Sequence, residues 1–146
     1  MGNEKLLALL NTLGIKPSEL KREENFGLRM RLQKVAYLLQ YIGEQGFDYS
    51  FSTYFRGPYS VDLAKTSSLL TETPSGKLER SEEALWFFAR ELEWLNIATT
   101  IMMLEGDYRG RDGDLFRAVK QYRERTTEEQ FGDVLRVLRK RGVLRP

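Results

Sequence analysis

The stretch RGPYS at residues 56–60 sets a guanidinium and a phenol on either side of a Gly-Pro pair. Arg56 and Tyr59 so placed could hold an anion or an aromatic group, since loop residues on a rigid scaffold commonly carry binding. The same residues also meet the rules for a corner: Gly57 permits unusual dihedrals, Pro58 lacks the donor a strand ladder needs, and Ser60 is a helix cap. A second cluster, EGDYRGRDGD at 105–114, gathers Glu105, Asp107, Asp112 and Asp114, oxygen ligands of the kind a hard cation takes. Their spacing fits no EF-hand, and Arg109 and Arg111 already offer neutralising partners, so no metal is expected there. A third set is cationic: Arg117, Lys120 and Arg123, then Arg136, Arg139, Lys140 and Arg141, whose chemistry would be phosphate contact.

What is missing narrows the chemistry further. The chain has no histidine and no cysteine, which removes the commonest general base at neutral pH, thiolate nucleophiles, disulfides and the usual zinc ligands. An enzyme would need a carboxylate pair, a Ser-Lys arrangement or a Tyr-Arg site, and no spacing singles one out. A Gly-rich phosphate loop is absent as well. The expectation is a non-catalytic protein with no cofactor.

These side chains must be positioned by a fold of limited size. With 146 residues, 41% hydrophobic, 12% aromatic and 30% charged, the chain reads as one globular domain over 1–146, neither disordered nor membrane-embedded. Within it an N-terminal lobe of about 1–71 and a C-terminal helical lobe of about 81–146 are expected. Charge is uneven: residues 1–80 hold 11 basic and 9 acidic side chains, 81–106 hold 1 and 5, and 107–146 hold 11 and 7. The opening MGNEKLLALLNTLG fits neither a secretory signal nor a myristoylation pattern. WLNIATTIMML, the longest uncharged apolar run, is about half of the roughly 20 residues a membrane span needs. A soluble, cytoplasmic protein without membrane contact follows as the expectation.

Periodicity predicts a mainly α fold. Leu6, Leu7, Leu9, Leu10 and Leu13 form a stripe between a cap at Asn3 and a stop at Gly14. A short helical turn opens at Pro17 or Ser18. Leu28, Leu32, Val35, Ala36, Leu38, Leu39 and Ile42 recur at three and four, with Arg29, Arg31, Gln33 and Lys34 largely opposite. YSFSTYF at 49–55 alternates like a single strand, RGPYS ends it, and Ser60 caps a helix carrying Val61, Leu63, Ala64, Ser67 and Leu70. After the TETPSGKLER loop, with Ser81 as cap, residues 82–104 are apolar on every side. That pattern predicts one buried central helix, or two abutting near Asn96. Two amphipathic helices close the chain: one on Leu115, Ala118, Val119 and Tyr122, the other behind a capping box from Thr126 to Glu129 and ending at Gly142. This last pair resembles a helix-turn-helix, although Glu128, Glu129 and Asp133 would repel DNA where base contacts are made.

Two stretches carry a family likeness. RLQKVAYLLQYIGEQGFDYSF at 31–51, followed by FRGPYSVDLA at 55–64, resembles the Panacea-domain family, the SocA-like antitoxins, and in particular its YwgA-like bacterial and archaeal branch. The matching positions are Leu32, Gln33, Lys34, Tyr37, Leu38, Gly57, Pro58, Tyr59 and Ser60, about the middle quarter of the chain. The resemblance implies a small helical protein that is not an enzyme; several relatives neutralise toxins and one is a proteolytic adaptor. It carries over no catalytic residue.

The leading expectation is therefore a protein-binding module of antitoxin or adaptor type, presenting Arg31, Lys34, Arg56 and Tyr59 from the 28–42 helix and the RGPYS corner. The alternative is a nucleic-acid-binding, winged-helix-like regulator working through Arg117, Lys120, Arg123, Arg136, Arg139 and Lys140. A third reading is self-assembly through Trp86, Phe87, Phe88 and Trp94, wherever these are exposed.

Overall fold

In the computed structural model, which describes residues 2–54 and 57–144, eight α-helices and one β-hairpin follow one another. The helices are α1 (Glu4–Leu13), α2 (Pro17–Leu20), α3 (Phe26–Tyr41), α4 (Val61–Leu69), α5 (Ser81–Phe88), α6 (Leu92–Leu104), α7 (Asp112–Tyr122) and α8 (Glu128–Lys140), with short 3-10 turns at Glu23–Asn25 and Glu105–Tyr108. Between α3 and α4 the strands β1 (Ser52–Tyr54) and β2 (Gly57–Tyr59) pair antiparallel, Thr53 opposite Pro58. The chain is thus mainly α. No helix among the described residues is long and apolar enough to cross a membrane.

Helix α6 is the centre. Every residue from Leu95 to Met102 is buried, and the helix packs against α3, α7, α8 and β2. An apolar helix surrounded on all sides explains the absence of a polar face in this segment. One continuous cluster of buried side chains runs from Leu6 to Leu138, so the two expected lobes share a single core. Cutting a residue such as Leu95, 0% exposed, to alanine would cost about 2–5 kcal/mol.

The structure moves several expected boundaries. The apolar run does not form one helix and does not break near Asn96: α5 ends at Phe88, and Glu91 is extended (ψ 148°) as the residue before α6. Arg31 reaches this break from α3, its Nη1 donating to Phe88 O at 2.6 Å and to Arg90 O at 2.5 Å, so it holds carbonyls that the helix end leaves open. The cap of α5 is Arg80 rather than Ser81, which is already helical. The last capping box sits one residue later than its sequence signal: Thr127 Oγ1 accepts from Gln130 N at 3.1 Å, and Gln130 Oε1 accepts from Thr127 N at 2.9 Å. The capping box is reciprocal, and Gln130 serves it as well as a glutamate would. The single strand expected over 49–55 is instead a hairpin, and the GPY of RGPYS is its second strand.

The N-terminal helices are joined to α5 by one buried carboxylate. Glu44 accepts from Lys5 Nζ at 2.8 Å, from Arg80 N at 2.8 Å and from Glu79 N at 3.1 Å. Burial by itself raises the Glu44 pKa, but Lys5 and the two backbone donors outweigh it and leave the carboxyl below its ordinary value.

Candidate functional site

Gln33, Lys34, Gly57, Pro58 and Ser60 come together in one buried polar joint. Five consecutive residues of α3, Leu32 to Ala36, are buried, because α6 lies against one side of the helix and β2 and α4 against others. Gln33 therefore needs a partner for each end of its amide. It finds both on Ser60: Gln33 Nε2 donates to Ser60 O at 2.9 Å, and Ser60 N donates to Gln33 Oε1 at 2.8 Å. Lys34, 0% exposed, donates from Nζ to Pro58 O at 2.9 Å. Ser60 Oγ accepts from Leu63 N at 3.1 Å and so starts α4. Gly57 has φ 91°, and a Cβ there would stand 2.9 Å from Thr100 Oγ1 and 3.1 Å from Thr99 Oγ1 on α6. Only glycine meets both demands.

Of the four expected partner-binding residues, the three that are described, Arg31, Lys34 and Tyr59, are not brought to one surface. Lys34 corrects the expectation most sharply: its place opposite the apolar stripe implies solvent, yet it is buried with its ammonium spent on the hairpin. Arg31 is committed to the α5 carbonyls, with its guanidinium carbon 5.8 Å from the Phe88 ring. Arg56 lies outside the described residues. Tyr59, half-buried like Arg31, lies beside a cleft between α3 and α4 lined by Leu20, Phe26, Met30 and Ala64. Phe26 is 48% and Val61 61% exposed. Val61, Ala64 and Ser68 follow at three and four along α4 and share a side of it.

The cations of the C-terminal helices are largely neutralised. Arg123 forks onto Glu93 at 2.5 and 2.6 Å, Arg139 onto Asp112 at 3.0 and 2.8 Å, and Arg136 reaches Asp133 at 2.8 Å. Arg117 pairs with Asp114, which Arg111 also contacts at 3.3 Å. Lys120 and Lys140 are exposed, Lys120 with its Nζ 5.8 Å from the Phe116 ring. The Arg139 hydrogen bonds hold the Asp112 carboxyl below its ordinary pKa. The acidic loop is thus spent on ion pairs at Asp112 and Asp114, and Glu105 accepts from Tyr41 at 3.3 Å.

Two further features are not legible in the sequence. Asn96 Oδ1 and Thr126 Oγ1 are buried without a hydrogen-bond partner among the described residues, and both residues line a cleft between α6 and the turn joining α7 to α8. A water or a small polar ligand satisfies such atoms. The second feature is at α5. Phe87 is fully buried, while Trp86, Phe88 and Trp94 are half-buried against the core. Over the Trp86 ring, however, stand the guanidinium carbons of Arg141 at 3.8 Å and Arg90 at 4.8 Å.

Fold and site together define a mainly helical protein in which a hairpin is hydrogen-bonded to α3 and packed against the central helix α6. No family model, curated protein or solved structure matches the chain.

Proposed function

We propose that this chain is a non-catalytic protein-binding module, of the antitoxin or adaptor kind that the likeness at LQK and GPYS implies. The observation that carries the reading is the α3–α4 cleft, with Tyr59 on its wall, Phe26 at its edge and Val61 exposed nearby on α4. Large apolar side chains left in solvent beside an aromatic wall are what an anchoring pocket offers to a partner's apolar side chain. The buried joint beneath supports the same reading, because it makes the corner rigid and so lowers the entropy lost on docking. The nucleic-acid alternative has less charge to work with than its six cations suggest, since Arg117, Arg123, Arg136 and Arg139 each have a carboxylate partner.

The test is affinity capture from the source cells after nuclease treatment, with the wild type run beside a Phe26→Ser/Val61→Ser variant whose melting curve shows it folded. A protein held by the wild type and lost by the variant supports the reading. The same protein held equally by both removes the cleft from it. Recovery of nucleic acid without a protein, falling away as salt rises, transfers the function to the C-terminal helices.

A further inference from the structure

Three arginines converge on the C-terminal end of α5. Arg31 donates to the carbonyls of Phe88 and Arg90, Arg90 Nε donates to Trp86 O at 3.1 Å, and Arg90 and Arg141 both lie over the Trp86 ring. A helix C-terminus favours nearby cations, which accounts for one or two of them. Yet none of the three has a carboxylate oxygen within 4.0 Å among the described residues, whereas Arg111, Arg117, Arg123, Arg136 and Arg139 each do. Glu82, one turn before Trp86 on α5, makes no ion pair with them among the described residues either. Three guanidinium groups without a carboxylate contact among the described residues therefore gather around one indole, while Arg117, Arg136 and Arg139 along α7 and α8 are paired with carboxylates.

We infer that the Arg90–Trp86–Arg141 cluster, backed by Arg31, is a docking surface for an acidic segment of a partner protein. The guanidinium is planar and forked, and stacking on an indole fixes that plane while leaving its N–H groups open to a carboxylate. Leu85, 49% exposed, precedes Trp86 on the same helix, roughly 100° around its axis, and is the exposed large apolar side chain of α5. A protein segment carrying both acidic and apolar side chains uses the whole surface. A phosphate backbone would use the charge but not Leu85, and the indole that would stack a base is already covered by guanidinium. The surface shares no residue with the α3–α4 cleft, so it stands or falls separately from the docking role given to that cleft.

The chain has two tryptophans, and Trp86 and Trp94 touch edge to face at 5.6 Å, so intrinsic fluorescence reports on this surface. The experiment titrates the full chain at low salt with a synthetic peptide of alternating glutamate and leucine, and separately with an oligothymidylate of equal charge. The expected result is a fluorescence change on adding the peptide and affinity lowered by about tenfold or more in Arg90→Gln/Arg141→Gln. The Arg90→Lys/Arg141→Lys protein should keep most of the binding, and Arg117→Gln/Arg136→Gln should bind as the wild type does. Melting curves of each variant separate a lost site from a lost fold. No peptide binding by the wild type, or equal weakening in Arg117→Gln/Arg136→Gln, would overturn the inference. So would tighter binding of the oligothymidylate with the same dependence on Arg90 and Arg141, which would make the ligand a nucleic acid.

Discussion

Gln33 and Ser60 exchange two hydrogen bonds across the interior, 2.9 Å from the amide to Ser60 O and 2.8 Å back from Ser60 N. A side-chain amide here takes the place of a neighbouring strand for the last residue before α4. Gln33→Leu would leave a buried N–H and a buried C=O without partners, each costing about 1–3 kcal/mol. Chemical denaturation should show a loss of about 2–4 kcal/mol. A loss under about 0.5 kcal/mol would mean that Ser60 finds other partners and that the joint is not what holds the hairpin.

Gly57 should tolerate no side chain. Its φ of 91° is left-handed, and a Cβ would press on Thr100 Oγ1 at 2.9 Å. Gly57→Ala is expected to cost roughly 1–3 kcal/mol from backbone strain alone, with the contact adding to it. Adding Thr100→Ala should recover the contact part but not the strain, which a double-mutant cycle measures. A Gly57→Ala protein as stable as the wild type would contradict the observed backbone at this corner.

Acid sensitivity should trace to Glu44. Its pKa is lower folded than the ordinary 4.5, so near that pH the unfolded chain binds more protons and stability rises with pH. The contribution of Glu44 is complete above its unfolded pKa and is lost as pH falls through the folded one. Glu44→Gln should therefore lower stability at neutral pH, by about 1–3 kcal/mol for the weakened buried hydrogen bonds, and flatten the acid limb of the stability curve. A Glu44→Gln protein with an unchanged acid limb would assign that limb to other carboxylates.

Thr126 offers the opposite sign. Its hydroxyl is buried with no partner among the described residues, and valine has nearly the same shape. Thr126→Val is expected to leave stability unchanged or raise it by about 1 kcal/mol, because a desolvated polar atom is removed. A clear loss in a denaturation curve would show that a bound water or polar ligand satisfies the hydroxyl in the cleft beside Asn96.

Much of the fold can be read from the residues in order. Helices α1, α3, α4, α7 and α8 follow from apolar side chains at three and four, and stops such as Gly14 and Gly142 take the positive φ that ends a helix. The cap at Ser60 is equally local, since its hydroxyl and the N–H it meets are three residues apart. The apolar surround of 82–104 marks the centre of the molecule, but not where it breaks. Ala89 to Glu91 carry no glycine or proline, and the turn there is supported by Arg31 from another helix.

Contacts between residues far apart in the chain account for the rest. Periodicity finds one buried face of a helix; it cannot show that α3 has neighbours on several sides, which is why Gln33 and Lys34 fall on a solvent face by pattern and in the interior by packing. Nor can charge counting see that Arg123 meets Glu93, 30 residues away, or that Arg139 meets Asp112, 27 away, and so how much of a basic segment is neutral in space. The convergence of Arg90 and Arg141 on Trp86 belongs to the same class. Residue types and local spacing determined most of the helices and the cap at Ser60; which polar groups are buried, paired or left over was settled when those helices packed, because burial and ion pairing depend on distance in space rather than along the chain.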